Sequence, residues 1–228
     1  MSEINGAGLG AGGKLPDSVG VSAFGEYTPE EYAELIAEKM TQQSTSHGIA
    51  TLSSTTVGDI VSWAGYTWRV IHNYGSTVLL GAEYAEFGSG YWCTSYNMGN
   101  SSGYAWEFGL TEGPMLSYFS TIATSMSNND RSCIADNVIY DRYGEHTGIK
   151  IRAITETEVK GALSYFQTSS NRVFRNKSET AVQWHTMTCG SSSGSSIYNY
   201  TVTTAGAVNS TAQNNSHYYR PFVTVYIA

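Results

Sequence analysis

The residues that could do chemistry in this chain are concentrated near its C-terminus. They are uncharged, so they could bind a ligand through packing and neutral hydrogen bonds. Between Glu179 and Arg220 there is no Lys, Arg, Asp or Glu, and Ser, Thr, Asn and Tyr dominate the stretch. Tyrosine supplies a large contact with few rotatable bonds, while serine and asparagine supply adaptable hydrogen bonds. Such a polar surface, held between hydrophobic anchors, favours binding over catalysis.

The candidate ligand contacts are the polar and aromatic residues of this segment. They are Trp184, His185, Ser192, Ser193, Ser195, Tyr198, Asn199, Tyr200, Asn209, Gln213, Asn214, Asn215 and His217. An ordinary polar loop is the alternative interpretation of the set. Trp184 fits a core anchor better than a stacking platform. For His185, a surface contact and a structural hydrogen bond fit equally well.

Patterns for catalysis are weak. The chain has three widely spaced cysteines, Cys93, Cys133 and Cys189. This number and spacing fit a protein made in a reducing compartment, and they do not match a zinc-binding motif. Lone cysteines are usually buried small hydrophobes, and no neighbouring cation in the sequence would activate a thiol. The chain has no Gly-x-Ser-x-Gly elbow, His-Glu-x-x-His pair or phosphate-binding loop. We expect no catalytic residue.

Metal and cofactor sites are not expected either. Asn128, Asn129 and Asp130 form the only dense group of side-chain oxygens, and this group favours a turn over a calcium site. Arg220, which precedes Pro221, is expected to be buried and paired with a carboxylate such as Glu83 or Glu107.

The composition predicts a folded chain with few charges. Hydrophobic residues make up 41% of the 228 residues, charged residues only 14%, and the net charge is -7. An acidic chain without a basic run is a poor candidate for binding nucleic acid or an anionic membrane. No apolar run approaches the ~20 residues that span a bilayer, and the N-terminus lacks the basic start and apolar core of a signal peptide.

The elements that must position the polar segment follow from periodicity and turn residues. Residues 1–56 predict a flexible N-terminal arm with one short helix over 29–40, where Thr28 and Glu31 form a capping box. The main domain is predicted over 57–228. Strands over 60–63 and 66–71 flank Ala64 and Gly65 as a hairpin, and a third strand follows over 77–80.

Two helices and a closing strand complete the predicted order. Pro114 starts the first helix, and Thr155 with Glu158 forms the capping box of the second. The inward positions are Met115, Leu116, Tyr118, Phe119 and Ile122 in the first helix and Val159, Leu163 and Phe166 in the second. A strand over 149–154 lies between them, and many short strands follow. This order predicts an α+β domain.

These anchors resemble a bacterial and phage domain of unknown function. The residues that carry the resemblance are Gly58-Asp59-Ile60-Val61, Gly65-Tyr66-Thr67-Trp68-Arg69-Val70-Ile71, Val78-Leu79-Leu80, Ile151-Arg152-Ala153-Ile154-Thr155-Glu156-Thr157-Glu158-Val159, and the ending with Val202, Gly206, Val208 and Tyr219-Arg220-Pro221. The family usually closes on Gly-Val-Arg-Pro, after a Trp followed by Leu-Arg-Ser. Here Trp184 is followed by His185-Thr186-Met187, so the match is looser there. The resemblance covers residues 57–228.

That domain is related to the C-type lectin fold. Proteins with this fold are the variable proteins of diversity-generating retroelements. The resemblance implies a C-type lectin-like fold with two helices, mixed short strands and long loops. Formylglycine-generating enzymes resemble the same fold and use paired cysteines, so an enzyme of this type would bring Cys93 and Cys189 together near His185. The resemblance also implies a variable segment at about 184–219, whose codons are rewritten at adenines. The strand over 66–71 is then expected beside 222–227, with Val202, Val208 and Phe222 inward and Asn199, Tyr200 and 209–217 partly outward.

The expected function is therefore display of a diversified Tyr/Ser/Asn-rich surface by a ligand- or receptor-binding protein of a phage or prophage. Its partner would be a protein or glycan receptor on a target cell surface. The expected location is the virion tail, or the cytoplasm where a chain without a signal peptide is made. A homo-oligomer, assembled through residues 1–56, would add avidity.

Two alternatives remain open. One is a structural virion or tail protein whose polar face coats a surface. The other is a carbohydrate-binding module of fixed specificity, in which Trp92 and Tyr96 stack on sugars.

Overall fold

The computed structural model describes residues 34, 50–91, 114–141, 144–193, 196–212 and 215–227. The architecture is mixed α+β, mostly small antiparallel sheets with few helices, which confirms the predicted class. The helix predicted over 29–40 lies outside the described residues, except that Glu34 is helical and exposed.

In chain order the strands and helices are β1 (Ile60–Trp63), β2 (Tyr66–Asn73), β3 (Thr77–Ala82), β4 (Ser89–Gly90), α1 (Pro114–Ser125), α2 (Asn128–Ser132), β5 (Asn137–Asp141), β6 (Gly144–Ile149), β7 (Ile151–Arg152), α3 (Ser169–Arg172), β8 (Phe174–Arg175), β9 (Ala181–Val182), β10 (Trp184–Ser193), β11 (Ser196–Val202), β12 (Val208–Ala212), β13 (His217–Tyr218) and β14 (Phe222–Tyr226). Three shorter helical turns cover Ala50–Leu52, Glu158–Ala162 and Ser164–Gln167. Two of the pairs, β5 with β6 and β8 with β9, form separate two-stranded ribbons.

The first sheet joins the early strands of the domain to its last one, in the order β1-β2-β3-β14-β7. The predicted hairpin is present, and Ala64 and Gly65 make its turn at positive φ. The expected pairing of 66–71 with 222–227 is wrong, because β3 lies between β2 and β14. All six residues of β3 are buried, so both of its backbone edges need hydrogen-bond partners.

The second sheet is built from the uncharged segment, in the order β12-β11-β10-β13-β4. Adjacent strands are antiparallel except β10 and β13, which meet in parallel at Trp184 and Tyr218. The register of β10 against β11 shifts twice, between His185 and Cys189 and between Cys189 and Ser191. β12 lies at the edge of this sheet.

The core lies where the two sheets meet. Trp184 of β10 and Phe222 of β14 have ring centroids 6.1 Å apart, and neither ring is exposed. Phe166 packs edge-on against Phe222, and Phe174 packs edge-on against Trp184. Burial of each such ring contributes about 1.5–3 kcal/mol, so this aromatic cluster fixes the position of one sheet on the other.

The helix α1 begins at Pro114, as predicted, and its side chains Met115, Phe119 and Ile122 are buried. Tyr118, also predicted to face inward, is 36% exposed. It lies at the margin of the stripe set by the other three, so its hydroxyl can reach water. Within the described ranges, none of the helices is both long and apolar enough to cross a bilayer.

The second predicted helix has the expected capping box, but it is shorter than predicted. The Thr155 backbone N–H donates to Glu158 Oε2 over 2.8 Å, and the Glu158 backbone N–H donates to Thr155 Oγ1 over 3.1 Å. Gly161, at φ 143°, ends this helical segment at once, and a separate turn carries Phe166. Val159, Leu163 and Phe166 are nevertheless buried as predicted.

Asn128, Asn129 and Asp130, expected to make a turn, instead begin the short helix α2. The Asp130 backbone N–H donates to Ser127 Oγ over 3.1 Å, which caps the N-terminus of α2. Across the described parts of the chain, no three His, Cys, Asp or Glu side chains are grouped closely enough to hold a metal ion.

Candidate functional site

The candidate site is the second sheet, and the structure divides its predicted contact residues into three groups. Ser195, Gln213 and Asn214 lie outside the described residues. Ser192, Ser193 and Tyr198 lie on β10 and β11, and their backbone alone is described. The remaining residues are Trp184, His185, Asn199, Tyr200, Asn209, Asn215 and His217.

Three of these residues cannot be surface contacts. Trp184, His185 and Asn199 have no exposed surface, which corrects their assignment as ligand contacts and the outward orientation expected of Asn199. Asn199 and Thr201 lie on one face of β11 and both are buried, so that face is covered. In β10 the consecutive residues Trp184, His185, Thr186 and Met187 are all buried, so both faces of that strand are covered there.

Trp184 connects the second sheet to the core. It is the first residue of β10, and it pairs with Val202 in the neighbouring strand. Its indole Nε1 donates to the Arg172 carbonyl oxygen over 3.0 Å, so the polar edge of the ring is satisfied without solvent. Trp184 therefore holds the start of the uncharged segment in place.

His185 and Asn199 form a polar contact inside the sheet. His185 Nε2 lies 2.9 Å from the Gly90 carbonyl oxygen, and His185 Nδ1 lies 2.9 Å from Asn199 Nδ2. A carbonyl oxygen only accepts, so Nε2 carries the proton and Nδ1 accepts from the Asn199 amide. The Asn199 amide also donates to the Tyr200 carbonyl oxygen over 3.2 Å.

This network keeps His185 neutral. Burial lowers the pKa of His185 to about 3; the Gly90 hydrogen bond opposes this shift, and the nearby His217 ring adds to it by a smaller effect. The His217 ring is half-buried at 5.0 Å from the His185 ring, and burial lowers its pKa as well. Neither ring is placed to gain a proton easily at neutral pH.

The exposed part of the site lies on the edge strand and the turn after it. Asn209, Ser210, Asn215 and Ser216 are exposed, and Tyr200 beside them is half-buried. We call these five residues the β12 surface. In register, Ser210 lies opposite Tyr200, whereas Asn209 lies opposite the buried Thr201. The β12 surface therefore includes both faces of one strand.

The turn at the end of β12 is held by its own hydrogen bonds. Asn215 Nδ2 donates to Thr211 Oγ1 over 2.8 Å, and the Asn215 backbone N–H donates to the Ala212 carbonyl oxygen over 3.0 Å. The ammonium of Lys160 lies 5.0 Å from the centre of the Tyr200 ring and pairs with Glu156. The β12 surface itself carries no formal charge.

The turn before β12 is fixed to the body of the domain. Gly206 has φ +79°, and a Cβ at this position would overlap the Ser169 carbonyl oxygen. Only glycine combines that backbone conformation with so close an approach. The loop between β11 and β12 therefore rests against α3, which makes β12 a supported strand.

Arg220 is buried, as predicted, but its partners differ from the prediction. It is 2% exposed, and its guanidinium carbon lies 4.7 Å from the Phe174 ring centre and 5.1 Å from the Trp184 ring centre. Glu83 is paired with Arg69 instead. Glu107, the other expected partner, lies outside the described residues. No local pattern predicts this aromatic cage, since the Phe174 and Trp184 rings come from separate strands.

The pairing of Cys93 with Cys189 is not tested, because Cys93 lies outside the described residues. Cys133 is a free, half-buried thiol whose Sγ lies 3.3 Å from the Asn129 carbonyl oxygen.

No protein-family model, curated protein or solved structure matches this chain.

Proposed function

We propose that this chain is a ligand- or receptor-binding protein without catalytic chemistry, which presents the β12 surface to a protein or glycan on a target cell. The observation that carries the proposal is the contrast within one sheet. Asn209, Ser210 and Asn215 are exposed, while Trp184 and Asn199 on the adjoining strands have no exposed surface.

This contrast permits variation without loss of the fold. Substitutions at exposed sites away from special backbone features usually change stability by less than about 0.5 kcal/mol. The buried rows beneath them, from Trp184 through Val202 to the half-buried Val208, keep the strands in register. The β12 surface can therefore change its side chains while its backbone stays in place.

The absence of formal charge defines how such a surface binds. Contacts would come from shape, from stacking on Tyr200 and from neutral hydrogen bonds of Asn and Ser side chains. Because no ion pair is formed, the affinity should depend little on salt concentration. Repeated copies in an oligomer would raise the avidity of each weak contact.

A C-type lectin-like fold is the finer architectural part of the proposal. It is supported by the sheet that joins β1–β3 to β14, and by the second sheet of 184–218 that precedes β14 in the chain. The helices lie between these two parts of the chain, as the resemblance implies. Diversification by a retroelement, and a phage or prophage origin with display on the virion tail, rest on the resemblance and on the uncharged composition.

The gene tests diversification directly. We expect a near-identical repeat of the coding segment for 184–219 nearby, which differs only where the repeat has adenines, together with a reverse-transcriptase gene. Codons at Asn209, Ser210 or Asn215 that cannot arise from an adenine-bearing template would contradict the proposal.

Binding is tested by a display library at Asn209, Ser210, Asn215 and Ser216, with a matched library at the buried Trp184, His185, Asn199 and Thr201. We expect the first library to stay folded and to yield clones with altered cell-surface binding, and the second to lose folded protein. A β12 library that never changes binding would favour a structural virion or tail protein. Sugar binding that survives the library but is lost on Trp92→Ala would favour a fixed carbohydrate-binding module.

A further inference from the structure

A second candidate site lies outside the uncharged sheet. A cavity of about 560 Å³ opens beside β2, β3 and α3, and none of its lining residues belongs to β10, β11, β12 or β13. Its size falls within the range of small-molecule sites, about 300–1,000 Å³. Variation of the β12 surface would therefore leave this cavity unchanged.

The charged residues of the cavity do not balance. Its lining includes three arginines, Arg69, Arg175 and Arg220, and two glutamates, Glu83 and Glu179, which leaves one net positive charge. A cavity with one net positive charge and a polar lining suits an anion with a single negative charge better than a neutral or a dianionic ligand.

Arg69 is not the residue that needs a ligand. Its Nε donates to Glu83 Oε2 over 2.8 Å, its Nη2 pairs with Glu83 Oε1, and its Nη1 donates to the Gly58 carbonyl oxygen over 2.6 Å. The Glu83 hydrogen bond raises the pKa of Arg69, and these contacts occupy all three nitrogens of the Arg69 guanidinium. Arg175 is exposed and donates to the Glu179 carbonyl oxygen over 2.8 Å.

Arg220 is left with an unused donor. Its Nε donates to the Ala82 carbonyl oxygen over 3.1 Å, and its Nη1 is buried without a hydrogen-bond partner in the described part of the chain. Aromatic rings of Phe166, Phe174, Trp184 and Phe222 surround the guanidinium, and they supply no hydrogen-bond acceptor oxygen. A buried charged donor without a partner is destabilising, and an acceptor atom supplied by a ligand would offset that cost.

Arg220 nevertheless remains a cation. Burial lowers the pKa of Arg220 to about 10; Tyr165, which also hydrogen-bonds the guanidinium, and Glu83 oppose the shift, and the charge of Arg69 adds to it. The side chain is therefore charged at neutral pH, and it is one of the residues that line the cavity. A planar guanidinium matches a carboxylate or a phosphate with paired hydrogen bonds, and the single net positive charge of the lining favours the carboxylate.

We propose that this cavity binds a small organic monocarboxylate with hydroxyl groups, whose carboxylate accepts hydrogen bonds from Arg220 and whose hydroxyls contact Ser164 and Ser170. The ligand must be larger than a bare carboxylate, because the cavity extends from the buried Arg220 to the exposed Ser170. The site belongs to the constant part of the domain, so it gives the protein a fixed ligand in addition to any variable one.

The test compares D-glucuronate with D-glucose by isothermal titration calorimetry on the full chain. The two sugars differ in one carboxylate, so they isolate the charge. We expect glucuronate to bind at least about tenfold more tightly than glucose, equivalent to about 1.4 kcal/mol. Equal affinity for both, no binding of either, or tighter binding of inorganic phosphate would each overturn the proposal.

Two variants locate the binding. Ser170→Trp fills the mouth of the cavity from an exposed position, so it should remove glucuronate binding while the melting temperature is retained. The matched control is Ser178→Trp, an exposed serine that does not line the cavity, which should bind like the wild type. Arg220→Met should also abolish binding; where that variant fails to fold, Ser170→Trp decides. Glucuronate binding unchanged by Ser170→Trp would place the ligand elsewhere and reject this site.

Discussion

Asn199 Nδ2 lies 2.9 Å from His185 Nδ1 and joins β11 to β10 in the interior of the sheet. Both residues belong to a segment whose composition resembles a contact surface, yet neither has exposed surface. Among the described side chains of this segment, His185 and Asn199 hold the sheet together, whereas Asn209, Ser210, Asn215 and Ser216, on and after the edge strand, are exposed.

Acid should destabilise the fold through His185. The pKa of histidine in the unfolded chain is near 6.5, while burial lowers that of His185 to about 3. Between these values the unfolded chain binds more protons, so the free energy of unfolding should fall by up to about 1.4 kcal/mol per pH unit as the pH drops below about 6.5. Urea denaturation at a series of pH values measures the slope.

His185→Gln should reduce this slope, because the substituted side chain does not titrate. It should not abolish the slope, since burial also lowers the pKa of His72 and of His217. A slope identical in the variant and the wild type would show that His185 does not resist protonation in the folded protein.

Two asparagines on neighbouring strands should respond differently to truncation. Asn199→Ala removes a buried amide and leaves His185 Nδ1 without its donor, so we expect a loss of about 1–3 kcal/mol. Asn209→Ala changes an exposed side chain and should stay within about 0.5 kcal/mol. Chemical denaturation of both variants provides the comparison, and equal losses would contradict the division between buried supports and exposed contacts.

Gly206→Ala should lower the free energy of unfolding more than Gly75→Ala, because Gly75 has a similar φ but no atom near the position of the added Cβ. At Gly206 the added Cβ would overlap the Ser169 carbonyl oxygen, so the loop must move away from α3. We expect a loss of about 1–3 kcal/mol in thermal or urea unfolding. Gly75→Ala, at φ +93° with no atom within 4 Å of the added Cβ, is the control and should cost about 1 kcal/mol. A smaller loss at Gly206 than at Gly75 would show that the loop does not rest on Ser169.

The ion pair of Arg152 and Glu158 should be essential to the fold. Arg152 Nη2 lies 2.6 Å from Glu158 Oε1, and the two side chains are 4% and 1% exposed. Glu158→Gln leaves a buried guanidinium without its counter-charge, so we expect a loss of about 3–5 kcal/mol in urea unfolding. Asp136→Asn, which breaks the exposed pair with Lys150, should cost at most about 1 kcal/mol. Similar losses in both variants would contradict the role of burial.

The parts of the fold that the sequence predicts well are set by neighbouring residues. Thr155 and Glu158 are three positions apart, and their reciprocal hydrogen bonds form within one turn. Ala64 and Gly65 likewise define their hairpin by local backbone angles. Such features need no knowledge of the rest of the chain.

The parts of the fold that the sequence predicts poorly depend on contacts between residues far apart in the chain. The position of β3 between β2 and β14 is a choice among strands of similar composition, and no local pattern decides it. The aromatic cage of Arg220 gathers Phe166, Phe174 and Trp184 from separate elements. The burial of Asn199 likewise depends on where His185 lies in the adjacent strand.

The shifted register of β10 has a consequence for how this domain could evolve. Nine residue steps separate Trp184 from Ser193, whereas six separate their partners Val202 and Ser196 in β11. The irregular stretch between them absorbs the difference, so an insertion or deletion near the hairpin tip need not rotate Trp184 out of the aromatic cluster. Descendants of this protein could therefore change the length of the hairpin as well as its side chains.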